Sequence, residues 1–397
     1  MIKRFITNTL QTELNQPEIN FLLGARQVGK TTILQQLENY ARRHEKNTSF
    51  FDLEQYAVLT QFNKPDAEVF KILSSGGQVI FIDEFQYLKN ASKIFKAIFD
   101  AKLNIKIYCS GSSSLAIHSH LKESLAGRRF LFNIYPLQFC ELTASFPSLP
   151  LEHYFVYGGM PALTHTDSDQ RKQLILSGLI SSYIIKDIKA LVKEENIRAF
   201  NHLFYLLAER QGSLISLHSL ANEVQLSAPT IQKYLTILEE TYVNYRIYSY
   251  STNLGNELKK SCKTYLYDLG IRNSLIKDFS PLNKRKDKGI LLESFVFLKL
   301  KTILAPNMDI KFWRTKEGNE VDFILLVNRK PIPIEVKSGL TKTEVPQGLK
   351  RFLSRYPGTP KAYVINESLS ESISYQSCTI KFITLKQFTA FENKNFD

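Results

Sequence analysis

Runs of consecutive apolar residues alternate with amphipathic stretches through the first 135 residues, and the alternation predicts strands and helices in turn. Strands are expected over Ile19–Leu23, Thr48–Leu53, Val79–Asp83, Ile105–Gly111 and Arg129–Tyr135, with helices such as Thr31–Arg43 and Ala91–Ala101 between them. Val79-Ile80-Phe81-Ile82 is unbroken by any polar residue, the mark of a strand covered on both faces. Such alternation argues for a parallel sheet covered by helices, which binds ligands at the carboxyl ends of its strands. From Pro136 to Leu206 the pattern turns mostly helical, with apolar positions at helical spacing over Lys172–Val192 and Asn196–Glu209. Tyr157-Gly158-Gly159-Met160-Pro161 punctuates the entry to that region.

Residues 213–267 take the form of a winged helix. Leu217–Val224 reads as one helix, Gln225-Leu226-Ser227 as the turn, and Ala228–Glu240 as a second helix capped by Ser227 with Pro229 at its start. Thr230, Gln232 and Lys233 are polar candidates for the outer face of that second helix, which in a helix-turn-helix enters a major groove. Strands over Tyr242–Tyr250 and Lys263–Tyr267 follow, with Asn253–Lys260 between them as the wing. A winged helix serves either DNA or packing and protein contacts, and both readings stay open here. The run Lys284-Arg285-Lys286-Asp287-Lys288 reads as a solvated linker, with a phosphate contact as the alternative. These divisions suggest four domains: 1–140, 141–210, 211–280 and 281–397.

Composition narrows the class. The chain has 397 residues, 44% of them hydrophobic, enough for ordinary cores. Its net charge of +13 favours a polyanionic partner, nucleic acid above all, while also fitting a merely soluble basic protein. Cys109, Cys140, Cys262 and Cys378 are scattered without a paired spacing, which argues against a disulfide framework or a zinc site and for a reducing compartment. No apolar run approaches the length that spans a bilayer and no signal peptide is visible, so no membrane insertion and a cytoplasmic location are expected.

Gly24-Ala25-Arg26-Gln27-Val28-Gly29-Lys30-Thr31 carries the most specific chemistry. It fits G-x-x-x-x-G-K-[ST] at every fixed position, between an expected strand and an expected helix that continues through Thr32. In that setting backbone amides and a helix amino terminus surround a polyanion. Lys30 would reach the β- and γ-phosphates of ATP, and the Thr31 hydroxyl would ligate Mg²⁺. Asp83, at the carboxyl end of the apolar run, would complete the metal site, and Glu84 would polarise the attacking water.

A second set of carboxylates lies near the carboxyl terminus. Glu293 sits on an expected amphipathic helix, Ile290–Leu304, and Asp322 on an expected strand, Glu320–Leu326. Pro333-Ile334-Glu335-Val336-Lys337 supplies a second strand whose period of two puts Glu335 and Lys337 on one face. If the strands are antiparallel neighbours, Asp322 comes beside them. Such a group can bind Mg²⁺, activate water and stabilise a pentavalent phosphate. The ordered set Asp322, Glu335 and Lys337, with Glu293 before it and Gln347 after it, resembles the restriction-endonuclease-like superfamily. That resemblance implies either a nuclease or a degenerate, non-cleaving domain.

The whole chain resembles prokaryotic AAA+ ATPases that carry a C-terminal domain of unknown function with a nuclease-like fold. The resemblance rests on Gly24–Thr32, Val79–Gln86, Ser110-Gly111-Ser112-Ser113, Ser124-Leu125-Ala126-Gly127-Arg128, Tyr135-Pro136-Leu137, Tyr157–Pro161, Lys186-Asp187, Leu266–Gly270, Glu293 and the Asp322, Glu335 and Lys337 set. It implies an α/β fold: a five-stranded P-loop AAA+ core, a helical and winged-helix middle region, and a C-terminal α/β restriction-endonuclease-like domain. It also implies that Ser112 takes the sensor position near the γ-phosphate. Arg128 or Arg129 looks like an arginine finger acting in a neighbouring subunit's site, hence a homo-oligomer. The activity expected is ATP hydrolysis coupled to the winged-helix and nuclease-like modules on or near DNA. The alternative is a nucleotide-dependent switch or DNA-binding regulator.

Overall fold

A computed structural model describes residues 2–112, 125–183, 192, 196–251 and 262–396. Strands β1 (Ile19–Gly24), β2 (Thr48–Asp52), β3 (Val79–Asp83), β4 (Lys106–Ser112) and β5 (Arg129–Asn133) form one sheet in the order β2-β3-β4-β1-β5. Every pairing in it is parallel. β1, β3 and β4 are buried along their whole length, which is why their sequences read as near-continuous apolar runs. The helix Lys30–Arg43 covers one face with Ile33, Leu34, Leu37 and Ala41, which join Phe81 and Tyr108 in one core. Helix Ala91–Asp100 covers the other with Ile94, Phe95 and Ile98 against Phe21, Ile80 and Ile82.

The middle of the chain is helical, with helices Leu151–Tyr157, Asp169–Tyr183 and Ile197–Glu209 packed around helix Leu269–Ile276. The helix-turn-helix follows the expected bounds. Helix Leu217–Val224 stops at Gln225, whose φ of 56° reverses the chain. Helix Ala228–Glu240 begins after Ser227, whose hydroxyl accepts the Thr230 N–H at 3.3 Å. Pro229 is at the second helical position rather than the first, still inside the turn whose amides need no intrahelical acceptor. Gln232 and Lys233 are exposed and Thr230 is half-buried. Strands β6 (Leu214–Ile215), β7 (Asn244–Tyr248) and β8 (Cys262–Leu266) make a small antiparallel sheet ordered β6-β8-β7. The expected wing, Asn253–Lys260, lies outside the described residues, as do Ser113, Ser124, Lys186, Asp187 and the last turns of the expected helix Lys172–Val192 except Val192.

The last part is a six-stranded mixed sheet, ordered β13-β14-β12-β11-β10-β9. Its strands are β9 (Met308–Arg314), β10 (Glu320–Val327), β11 (Lys330–Val336), β12 (Lys361–Asn366), β13 (Glu371–Tyr375) and β14 (Cys378–Thr384). Helix Lys288–Thr302 packs on one face through Leu292, Phe295 and Val296. Helix Gln347–Arg355 packs on the other through Leu349, Phe352 and Leu353, each contributing about 1.5–3 kcal/mol of burial. The small sheet runs directly into this one: Ser249 bridges to Phe312, and the Tyr250 N–H donates to the Phe312 carbonyl at 2.6 Å.

One expectation is corrected. The run Lys284–Lys288 is not a solvated linker throughout: Lys284 and Lys286 are exposed, but Arg285 is not. The Arg285 side chain is fully buried, donating to Asp287 at 2.7 and 2.8 Å and to the Asn273 amide oxygen at 3.0 Å. Asp287, a member of the same run, supplies the neutralising charge that lets a guanidinium leave water.

Candidate functional site

Strand β1 delivers the chain into the loop at Gly24. A Cβ there would lie 2.2 Å from the Ile134 carbonyl oxygen, so the residue must be glycine for β1 and the segment after β5 to approach this closely. Gly29, at φ 94°, turns the chain into helix Lys30–Arg43 through a conformation that L side chains rarely adopt. No side chain caps that helix start, so the first amides point into the loop without a side-chain acceptor. Ala25 and Val28 are buried and anchor the loop, while Arg26 pairs with Glu54 at 3.8 Å and Gln27 is exposed. Lys30 is 5% exposed, and its ammonium donates to the Gly24 and Ala25 carbonyls at 3.0 and 2.9 Å. Thr31 and Thr32 follow, half-buried, in the first helical turn.

The parallel register places the carboxyl ends of β3 and β4 beside this loop, with Gly24 opposite Ser112. Asp83 is buried and accepts hydrogen bonds from the Ser110 and Thr31 hydroxyls. Burial pushes its carboxyl above the ordinary value, and those two hydroxyls pull it back only in part. Glu84 has a φ of 53°, a left-handed backbone that turns its carboxylate back over the strand ends. Its Oε2 accepts from the Ser112 hydroxyl at 2.9 Å, from the Ser112 N–H at 3.3 Å and from the Gln86 amide. Burial alone would raise Glu84, but the Lys30 ammonium and the Gln86 and Ser112 hydrogen bonds outweigh it and hold the group below its ordinary value. The structure therefore brings Lys30, Thr31, Asp83, Glu84 and Ser112 together at one end of the sheet. A buried carboxylate bonded to a hydroxyl in the first helical turn is a donor pair that fits Mg²⁺.

Arg128 and Arg129 are placed elsewhere. β5 pairs Arg129 with Ile19 and Asn133 with Leu23, so both arginines lie at the end of the sheet opposite Gly24. Neither reaches this chain's own loop. Arg128 pairs with Asp100 at 2.8 Å beside the Phe99 ring, whereas Arg129 has a buried Nη1 with no hydrogen-bond partner among the described residues.

Arg4 gave no signal in the sequence, yet it holds the loop. Its Nη1 donates to the Val28 carbonyl at 2.9 Å, its Nη2 to the Tyr135 carbonyl at 2.6 Å, and its Nε to both oxygens of Glu141 at 3.2 Å. Both side chains are buried. Glu141 also accepts from the Phe5 and Gln138 amides at 2.8 and 2.9 Å. Gln138 and Glu141 form a capping box, and the pairing of Glu141 with a residue 137 positions away left no mark in the sequence. The same region is joined at a second point to the segment that follows β8. The Gly159 N–H donates to Asp268 at 2.7 Å, and the Asn273 amide donates to the Phe155 and Val156 carbonyls at 2.9 and 2.8 Å.

The C-terminal carboxylates also meet. β10 and β11 are antiparallel, and the pairing of Phe323 with Ile334 carries Asp322 to the level of Glu335. Asp322 accepts the Val336 N–H at 2.8 Å, and Lys337, just past the end of β11, pairs with Glu335 at 2.7 Å. Glu293 faces them from helix Lys288–Thr302. Burial is the first cause that pushes Glu293, Asp322 and Glu335 upward, with neighbouring carboxylates adding to it and nearby lysines opposing it. Gln347 opens helix Gln347–Arg355 with its side chain exposed. Two further residues enter from β8: Lys263 pairs with Glu293 at 3.0 Å and with Glu320 at 2.5 Å, and the Tyr265 hydroxyl donates to Glu293 at 2.6 Å. Among the described residues no group of three or more His, Cys, Asp or Glu is arranged to hold a metal ion.

With this geometry in place, comparison with known proteins identifies the first part: residues 16–143 match the family model described as an AAA domain. The chain thus contains a P-loop AAA domain of the AAA+ ATPase class. Residues 149–282 and 288–388 match models described as domain of unknown function (DUF8612) and domain of unknown function (DUF4143). An uncharacterized protein of Haemophilus influenzae is 29% identical, over 77% of this chain and 79% of its own length. An uncharacterized protein of Mycobacterium tuberculosis is 25% identical over 83% of this chain and 72% of its own length. Among solved structures, the Aeropyrum pernix ORC1 protein in complex with DNA aligns at 12% identity and TM-score 0.30, covering 70% of this chain and 93% of that one. AMPPCP-bound DnaA from Aquifex aeolicus aligns at 15% and 0.33, covering 59% and 86%. Among the described residues no helix is long and apolar enough to cross a membrane.

Proposed function

We propose that the chain binds ATP at Gly24–Thr32 and hydrolyses it, with Glu84 as the residue that polarises water. The observation that carries this reading is the convergence of Lys30, Asp83, Glu84 and Ser112 on an uncapped helix start at the carboxyl ends of β1, β3 and β4. Lys30 donates to two backbone carbonyls of the loop; phosphate oxygens are stronger acceptors and would take it over. Thr31 and Asp83 would hold Mg²⁺, which supplies charge neutralisation between the β- and γ-phosphates. Glu84 stays anionic beside Lys30, the state a water-orienting base requires. Ser112, hydrogen-bonded to Glu84, would report whether a γ-phosphate is present. Arg4 links the loop carbonyl of Val28 to Glu141, and Gly159 links the next segment to Asp268, which gives a continuous route toward the winged helix. Arg128 is held by Asp100, whereas Arg129 Nη1 has no hydrogen-bond partner among the described residues, which supports Arg129 over Arg128 as the finger offered to a second copy. Glu84→Gln should retain ATP binding while turnover falls by about 10²–10⁴-fold, the contribution of a general base. Turnover within a factor of two of wild type would remove Glu84 from this role.

A second reading adds DNA. The exposed Gln232 and Lys233 on the second helix of the helix-turn-helix, with a net charge of +13, support nucleotide-dependent DNA contact. Gel shifts across a salt series test it: affinity falling steeply with salt supports phosphate contact, and absent binding at low salt refutes it.

A further inference from the structure

The winged-helix strand β8 reaches into the C-terminal domain with one charged side chain. Lys263 is 2% exposed, and its ammonium lies 3.0 Å from Glu293 Oε1, 2.5 Å from Glu320 Oε1 and 5.7 Å from the centre of the Phe312 ring. Tyr265, two residues along the same face of β8, donates to the same Glu293 oxygen. Two other oxygens of the cluster have partners from within the domain: Lys337 holds Glu335 Oε1 and the Val336 N–H holds Asp322 Oδ2. Glu335 Oε2 is buried without a hydrogen-bond partner among the described residues, and burial beside Asp322 favours the protonated acid there. An Asp, Glu-x-Lys set used for phosphodiester chemistry needs carboxylate oxygens open to a divalent cation. Here an ammonium from another part of the same chain already sits between Glu293 and Glu320, so Glu293 is not open to a divalent cation, and among the described residues no group of three or more His, Cys, Asp or Glu is arranged to hold one.

We propose that Lys263 is the resident cation of this cluster, and that the carboxylates serve as the seat of an interdomain ion lock closed to divalent metal while β8 is docked. The lock joins the winged-helix sheet to the six-stranded sheet at the point where Ser249 and Tyr250 already bond to Phe312. Its ammonium is buried against two half-buried carboxylates where two of the chain's units meet, whereas the Lys288–Glu367 pair has its ammonium as exposed as its carboxylate. The inference stands apart from the ATP reading, because it uses no residue of the nucleotide loop.

Two measurements on the full chain test it. The first is Mn²⁺ titration without nucleotide, by calorimetry and by electron paramagnetic resonance, comparing wild type with Asp322→Asn. Equal binding is expected; Mn²⁺ bound by wild type and lost in the variant overturns the proposal. The second is thermal unfolding. Lys263→Met should lower the midpoint by about 4–6 °C, while Lys288→Met should move it little. Equal shifts in the two overturn the proposal. Should Lys263→Met fail to fold, the triple variant Lys263→Met, Glu293→Gln, Glu320→Gln decides: removal of all three charges should restore folding, and continued failure overturns the lock.

Discussion

Replacing Arg4 by methionine tests how the phosphate loop is held in shape. The substitution keeps an apolar stem of similar length but removes the guanidinium that contacts Val28, Tyr135 and Glu141. Glu141 is 2% exposed and would be left as a buried carboxylate without its cation. Losing one partner of a buried ion pair costs about 3–5 kcal/mol. The Phe5 and Gln138 amides still donate to Glu141, which argues for the lower end of that range. The Val28 carbonyl also loses its donor, at about 1–3 kcal/mol if no water replaces it. Part of that loss falls on the loop itself, so about 1 kcal/mol of lost preorganisation would weaken ATP about fivefold. Urea unfolding followed by circular dichroism reads the first effect, and calorimetric titration with ATP and Mg²⁺ reads the second. Arg4→Met combined with Glu141→Leu should recover most of the stability, since the uncompensated charge is gone, but not the affinity. Wild-type stability in Arg4→Met, or a double variant no more stable than the single one, would refute the clamp.

Two other substitutions probe the packing of the helical middle region. A Cβ at Gly270 would lie 1.9 Å from the Tyr157 carbonyl oxygen, so Gly270→Ala should destabilise the fold by about 3 kcal/mol or more in thermal unfolding. Gly178→Ala, in a helix interior with nothing within 4 Å, should stabilise by about 0.5–1 kcal/mol in the same assay. Reversal of that order would show that the packing is misread. Asp268 is buried, and burial pushes its carboxyl up from 3.8 to about 6 despite three backbone amides that lower it. The folded state therefore binds this proton more tightly than the unfolded one, and the group's contribution is favourable at low pH. It is lost as pH rises from about 4 through about 6, by roughly 3 kcal/mol. The stability difference between wild type and Asp268→Asn should fall across that window; a flat difference refutes the assignment.

Much of this was legible because the signals are local. The strands of the first sheet, the P-loop and the two helices of the helix-turn-helix each declare themselves within a dozen residues, through apolar runs, Gly24 and Gly29, and Ser227. Asp322, Glu335 and Lys337 could be grouped because the strand period and one antiparallel pairing fix them together. Arg4 and Lys263 were not legible. Each is a single basic residue whose partner is supplied by the tertiary fold, so no spacing marks it. Lys284–Lys288 was misread for a related reason: composition suggested water, but Asp287 and Asn273 give Arg285 a buried place. The arginine choice was open in the sequence because Arg128 and Arg129 are adjacent; only their side-chain surroundings separate them.

The central claim is that a nucleoside triphosphate is gripped by the loop amides and Lys30. Isothermal titration of the folded wild-type chain with ATP and Mg²⁺, alongside Lys30→Ala, tests it most directly. A saturable heat in wild type that is lost in Lys30→Ala is the expected result. No heat from the folded wild-type chain, or the same heat from both proteins, would contradict it.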